Sequence, residues 1–231
     1  MIAENVLKVR ERVRKACERA GRDPQTVHLI AVTKTFSGEK IQEVVAAGIE
    51  DIGENFVQEL RAKHTELINL PIRWHFVGHL QSNKVKYITD FIHLIHSVDH
   101  RSVAEELVRR GAKTGRVIDV LVEVNTSGEK TKYGVPPETC LEFVKSIANL
   151  KNVRVKGLMT IGPFLPNPED SRPAFRTLRN LRDEVMKAEI ENVGMNELSM
   201  GMTSDFEVAI EEGATMIRIG TAIFGPRKKS E

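Results

Sequence analysis

Cysteine is scarce in this chain: only Cys17 and Cys140 occur in 231 residues, which excludes a fold stapled by disulfides. Both sit in helix-like segments and read as small core residues of a reducing compartment. Net charge is scarce as well. The 34 Lys+Arg against 32 Asp+Glu leave +2, so electrostatics make no case for nucleic acid as the main partner. The dense basic run, Arg227-Lys228-Lys229, falls at the tail and reads as a solvated end. Long apolar runs are missing: stretches such as Leu29 to Val32 are strand-sized, far short of the roughly 18 residues a membrane span requires. The opening residues lack the apolar heart of a signal peptide, and Glu4, Glu11 and Glu18 are out of place in a transit peptide. A cytoplasmic protein with no membrane partner is the expectation.

Linkers and low-complexity blocks are absent too, so a single domain is expected over residues 1–231, with a leading helix in 1–21 and the main body in 27–225. Ile2, Val6, Val9, Val13, Ala16, Cys17 and Ala20 recur at intervals of three and four, and Gly21 follows as a stop. Short β-rich runs come next: Val27 to Thr33, Asp51 to Gly53, Arg73 to Val77, His93 to Val98, Val117 to Asn125, Arg154 to Thr160, Glu197 to Met200 and Thr215 to Ile219. Helical periodicity fills the gaps, at Gly38 to Ala47, Phe56 to Leu67, Asn83 to Tyr87, Arg101 to Arg110, Pro137 to Ala148, Ala174 to Glu189 and Ser204 to Glu212. Strands apolar on both faces, such as Val117 to Val124, belong in a parallel sheet covered on both sides.

Roughly eight β/α units in a chain of this length suit a TIM (β/α)8 barrel, although a doubly wound open sheet gives a similar string. The strand count is high for the length, and no Gly-x-Gly-x-x-Gly follows the first strand. Both features favour the barrel.

In such a barrel reactive groups gather where strands run into βα loops. The first strand ends in Thr33-Lys34-Thr35. A lysine there either turns a partly desolvated amine into the barrel mouth, ready to attack a carbonyl, or snorkels to water. Asn55, after the second strand, either orients a polar ligand group or caps the next helix. The third strand leads into Trp74-His75-Phe76-Val77-Gly78-His79-Leu80-Gln81-Ser82-Asn83-Lys84. Its two histidines lack a third ligand at a suitable spacing, so a structural or gating role is favoured over zinc.

The last two loops bear on anions. In Ser199-Met200-Gly201-Met202-Thr203-Ser204-Asp205, Thr203 or Ser204 can cap a helix, Ser204 with Glu207 fits a capping box, and Gly201 lets backbone approach a bound group. Gly220 and Thr221 leave the eighth strand. Barrels commonly hold phosphate between these two loops. An amine facing a phosphate cradle suggests a ligand carrying an aldehyde and a phosphate, and pyridoxal phosphate has both.

The sequence resembles the pyridoxal phosphate homeostasis proteins, single-domain relatives of the alanine racemase barrel, over nearly its whole length. The resemblance is carried by Ala31-Val32-Thr33-Lys34-Thr35, by Ile52-Gly53-Glu54-Asn55-Phe56-Val57-Gln58-Glu59 and by the Trp74 to Lys84 run. Gly157-Leu158-Met159-Thr160, Leu198-Ser199-Met200-Gly201-Met202, Arg218-Ile219-Gly220-Thr221 and Phe224-Gly225 complete it. It implies that Lys34 forms a Schiff base with pyridoxal phosphate, that Asn55 and Ser199 belong to the cofactor site, that Arg218 faces the pyridine nitrogen, and that Thr203, Gly220 and Thr221 hold the phosphate. Thr203 departs from the family's usual serine but keeps the hydroxyl.

An arginine at the ring nitrogen disfavours the pyridinium and weakens the ring as an electron sink. Racemisation also needs a second acid/base, a tyrosine from an added domain in the related racemases. The chain ends at Glu231 without that domain, and its only tyrosines are Tyr87 and Tyr133. The implied function is therefore a carrier that limits free pyridoxal phosphate and supplies it to apo forms of dependent enzymes. A racemase or decarboxylase is the alternative, and a phosphate-binding barrel without pyridoxal a third. A monomer is expected, since no added dimerisation domain follows.

Overall fold

The strands, all parallel, hydrogen-bond in sequence order and close into a barrel. They are β1 (His28–Val32), β2 (Asp51–Glu54), β3 (Arg73–Phe76), β4 (Leu94–Val98), β5 (Ile118–Glu123), β6 (Val153–Met159), β7 (Val193–Ser199) and β8 (Met216–Ile219). Closure comes from β8 against β1, in the register Ile30↔Arg218 and Ala31↔Ile219. The helices are α1 (Ile2–Arg19), α2 (Gly38–Ala46), α3 (Val57–Glu66), α4 (Arg101–Thr114), α5 (Cys140–Ala148), α6 (Arg172–Lys187), α7 (Phe206–Glu211) and α8 (Thr221–Phe224). This computed structural model describes residues 1–129 and 131–226, so Arg227-Lys228-Lys229 lies outside the described residues. The molecule is a TIM (β/α)8 barrel in one domain.

Alternation along the strands sorts side chains into two layers. Ile30, Leu94, Leu121, Met159 and Met216 form a small apolar cluster of their own in the lumen. A larger layer between sheet and helices includes Ile52, Phe76, Ile95, Val120, Leu158, Leu198 and Ile217. Cys17 and Cys140 are buried free thiols.

The eighth helix is a single turn, and α1 covers the flank it leaves bare. Its buried stripe, Ile2, Val6, Val9, Val13, Ala16 and Cys17, packs against α7, α8 and α2. Each such side chain removed from water contributes on the order of 1–3 kcal/mol. Polar ties fix the seating: Asn5 Nδ2 donates to the Ile223 carbonyl (2.8 Å) and Arg12 Nε to Glu207 (2.6 Å).

Three local expectations change. Asn83 to Tyr87 is part of a short 3₁₀ stretch, Ser82–Tyr87, in which only Val85 is buried. One anchoring side chain is too little for an amphipathic helix, and Arg116, donating to the Thr89 and Ile92 carbonyls, braces the connection instead. β7 starts at Val193, where Gly194, Asn196 and Glu197 dilute the apolar pattern. Residues Pro137–Thr139 form a 3₁₀ turn before α5, because consecutive prolines remove amide donors. Among the described residues no helix is long and apolar enough to cross a membrane.

Candidate functional site

A cavity of about 450 Å³ opens at the C-terminal ends of the strands, the face that carries TIM-barrel sites. Lys34, Asn55, Arg218, Gly220, Thr221 and Thr203 all line it. A larger hollow of about 660 Å³ lies at the other end, beside Asp51 and Arg73, away from the loops that concentrate reactive groups. Phe36, following Lys34, stacks on Phe224 with centroids 4.4 Å apart and forms part of the cavity wall.

Lys34 lies two residues beyond Val32, so it continues the inward alternation of β1 into the mouth. The turn carrying it is strained: Thr35 has φ 71°, rare for a β-branched residue. Buried charge holds that turn. Lys63 Nζ donates to the Thr33 carbonyl (2.8 Å), to Glu54 Oε1 (2.7 Å) and to Glu59 Oε2 (3.0 Å), while the Thr35 amide donates to Glu59 Oε2 (2.9 Å). Burial pushes the Glu54 carboxyl up against the opposing pull of Lys63 and Thr33. Burial acts likewise on Glu59, but hydrogen bonds from Thr35 and Lys63, with the Lys34 charge, outweigh it and leave that carboxyl low.

Asn55 does not cap α3, whose N-cap is Phe56 and which has no side-chain cap. Its Oδ1 is instead buried without a hydrogen-bond partner, an acceptor at the wall of the cavity. Gly78 makes that position reachable, because a Cβ there would stand 2.2 Å from the Asn55 carbonyl oxygen.

Arg218 is 4% exposed and keeps one edge on the cavity. Its Nη1 donates to Ser199 Oγ (2.6 Å) and its Nη2 to the Thr160 carbonyl (2.7 Å). Burial lowers its pKa to about 10, against the attraction of Glu123 and Asp205. Ser199 is wholly buried and is not among the residues lining the cavity; it stands behind Arg218 and braces it.

The expected capping box is absent. The N-cap of α7 is Asp205, whose Oδ1 accepts from the Met202 amide (2.7 Å), while Glu207 is drawn away by Arg12. Thr203 Oγ1 accepts from the Ala222 amide (3.3 Å), tying the two phosphate-type loops together. Gly201 serves packing rather than a ligand: at φ 90°, a Cβ would stand 2.5 Å from Ala209 Cβ.

Sequence reasoning missed several groups here. Glu54 and Lys63 lie behind the Lys34 turn, while Glu123 and Asp99 end β5 and follow β4. Burial, with Asp99 beside it, pushes Glu123 up to about 7, opposed by Arg218. Asp99 accepts from His100 Nδ1 (2.7 Å) and the Gly134 amide (3.2 Å), and Tyr133 stacks on His79 at 3.7 Å. His75 and His96 are buried in the lumen and contact each other. The signal for His75 was its odd position in β3, in step with inward-facing Val77. Among the described residues no cluster of three His, Cys, Asp or Glu side chains could hold a metal ion.

Residues 5–228 match the family described as alanine racemase, N-terminal domain. A pyridoxal phosphate homeostasis protein of Aquifex aeolicus is 51% identical over 225 residues, covering 97% of this chain and 98% of its own length. The crystal structure of an unknown protein from Bifidobacterium adolescentis superposes with a TM-score of 0.92 at 37% identity, covering 96% of this chain and 94% of that one. PipY of Synechococcus elongatus, with PLP bound, superposes with a TM-score of 0.84 at 34% identity, over 97% of this chain and 100% of that one.

Proposed function

The chain belongs to the pyridoxal phosphate homeostasis proteins of the alanine racemase N-terminal domain family, and from that premise we propose that it binds pyridoxal 5′-phosphate reversibly through Lys34 and serves as a carrier of the cofactor. The observation that carries this reading is the single cavity onto which Lys34, the unpartnered Asn55 Oδ1 and the Arg218 guanidinium all open. Its volume falls in the range of small-molecule sites.

The residues fit the cofactor. Lys34 supplies an amine that condenses with the aldehyde to a Schiff base, releasing water and restoring both partners on hydrolysis. Arg218, a fixed donor with no acceptor, suits an unprotonated pyridine nitrogen. Thr203, Thr221 and the backbone at Gly220 suit the phosphate, and Asn55 Oδ1 accepts from a donor on the ligand. The pyridoxal ring, when bound, supplies an electrophilic carbon and, if protonated at nitrogen, an electron sink. Arg218 opposes that protonation, which favours storage and release over carbanion chemistry. The reading extends to a monomer acting in the cytoplasm that passes the cofactor to apo forms of dependent enzymes.

The test is mass spectrometry after incubation with pyridoxal phosphate and borohydride reduction. A pyridoxyl phosphate adduct on Lys34 is expected. An adduct on another lysine, or a visible band that persists unchanged in Lys34→Ala, overturns the assignment. Sustained turnover of any L- or D-amino acid by the loaded protein overturns the carrier in favour of an enzyme.

A further inference from the structure

Behind Arg218 the lumen holds a row of polar side chains contributed by four different strands and bonded end to end. Ser199 Oγ lies 2.6 Å from Arg218 Nη1 and 2.9 Å from His96 Nδ1. His96 Nε2 lies 2.9 Å from His75 Nδ1, and His75 Nε2 lies 3.0 Å from Asp51 Oδ1. Arg73 closes the far end with a two-pronged contact to the same carboxylate, at 2.7 and 2.8 Å. His75, His96 and Ser199 are buried, so bulk water does not compete for these hydrogen bonds.

Proton counting leaves one arrangement for neutral imidazoles. Arginine only donates, so Ser199 Oγ accepts from it. At the other end Asp51, held as a carboxylate by Arg73, only accepts, so His75 donates to it from Nε2 and, being neutral, leaves its Nδ1 bare. His75 Nδ1 therefore accepts from His96 Nε2, and the bare Nδ1 of a neutral His96 takes the hydroxyl proton of Ser199. We propose that Asp51, His75, His96 and Ser199 form a one-way chain of hydrogen bonds through the barrel that positions Arg218, every donor pointing from the arginine toward the aspartate.

Burial keeps both imidazoles below their usual range, more strongly for His96, where His75 and Arg218 add repulsion. Aligned bonds polarise one another, so the Asp51 charge is felt at Ser199 Oγ and offsets part of the cost of burying the guanidinium. One extra proton destroys this order. A cationic His75 donates on both sides, His96 must present a bare Nε2 and a protonated Nδ1, and Ser199 then faces two donors with its own proton unplaced.

Other charged or titratable groups face the chain. His28 and His93 stand near His75 from β1 and the start of β4, and Asp119 from β5 acts on His93. Glu123 from β5 and Asp205 ahead of α7 act on Arg218. None of these is hydrogen-bonded into the chain.

The inference rests on the proposed cofactor role of Arg218 for its functional meaning, but its structural core is testable without cofactor. In protein labelled with 15N-histidine and free of cofactor, two-bond 15N–1H spectra near neutral pH read each tautomer, with His75→Phe and His96→Phe supplying assignments. Both rings are expected neutral and protonated on Nε2. A proton on His96 Nδ1, or a doubly protonated His75, overturns the chain. Should a variant not fold, removal of assignment ambiguity by Ser199→Ala, which leaves the His96 Nδ1 without its donor and shifts that nitrogen alone, keeps the reading decisive.

In loaded protein, His96→Phe is expected to move the pH midpoint of the bound cofactor's visible band in the same direction as Arg218→Ala, by roughly one unit, a tenfold change in proton affinity. Weaker retention with an unmoved midpoint marks His96 as packing alone and overturns its positioning role. Absence of any Lys34 adduct would overturn the carrier reading while leaving the tautomer result intact, so the two failures are distinguishable.

Discussion

The Lys63 ammonium lies 2.7 Å from Glu54 Oε1 directly behind the turn that presents Lys34, and Glu54 is 0% exposed. A charge pair so placed gains little net stability by itself, because desolvating both ions offsets most of their attraction. Breaking it is another matter. Lys63→Met leaves Glu54 uncompensated and frees the Thr33 carbonyl, with an expected loss of about 3–5 kcal/mol in chemical denaturation. The double variant Lys63→Met/Glu54→Leu is expected to recover much of that loss. Full additivity of the two single losses would mean that the residues act independently.

Arg218 and the two threonines divide their work. Arg218→Ala is expected to alter the spectrum and proton affinity of the bound cofactor more than its retention. Thr203→Ala and Thr221→Val are expected to speed release about tenfold each, the equivalent of one hydrogen bond, with spectra unchanged. Stopped-flow release and spectral titration measure the two effects separately. Equal loss of retention with identical spectra in all three variants would remove the distinction.

Glu123 makes the cofactor-free protein sensitive to pH in a definite sense. Burial raises its pKa from 4.5 to about 7, so below that window the carboxyl is protonated in folded and unfolded chains alike. Within the window the unfolded chain gives up a proton that the folded chain keeps, and stability contributed by this group falls as pH rises. Glu123→Gln abolishes the term. The variant is expected to exceed the parent by on the order of 2–3 kcal/mol near pH 8 and to match it near pH 4, by urea denaturation at each pH. A constant difference across pH would show that Glu123 titrates normally.

Gly201 meets two demands at once, a left-handed backbone and contact with Phe206 and Ala209 on α7. Gly201→Ala is expected to cost at least about 2 kcal/mol, the strain of the backbone adding to that of the overlap. Because the same loop carries Thr203, cofactor release should accelerate as well. Calorimetry and release kinetics on one preparation check both.

The barrel was legible because its strands are short, apolar on both faces and separated by helical periodicity, as at β5 and α4. The cavity residues were legible for a related reason: Lys34 and Gly220 continue the two-residue alternation of β1 and β8 beyond the last paired residue. What the sequence concealed depends on side chains from distant strands meeting in the lumen. Asp51 and Ser199 are 148 positions apart, counting 199 − 51, yet are joined through two imidazoles. Local patterns fail there, and they fail for Ser204 and Glu207 too, since Arg12 from α1 competes for the carboxylate. Asn55 reads equally as cap or ligand group until the start of α3 is known.

With α1 lying where a full eighth helix would stand, the first and last segments of the chain make up one seam of the wall. α2 covers only part of the apolar stripe of α1; the rest is covered by α7 and α8, which follow the seventh and eighth strands, and contacts of such long sequence separation are slow to form in folding.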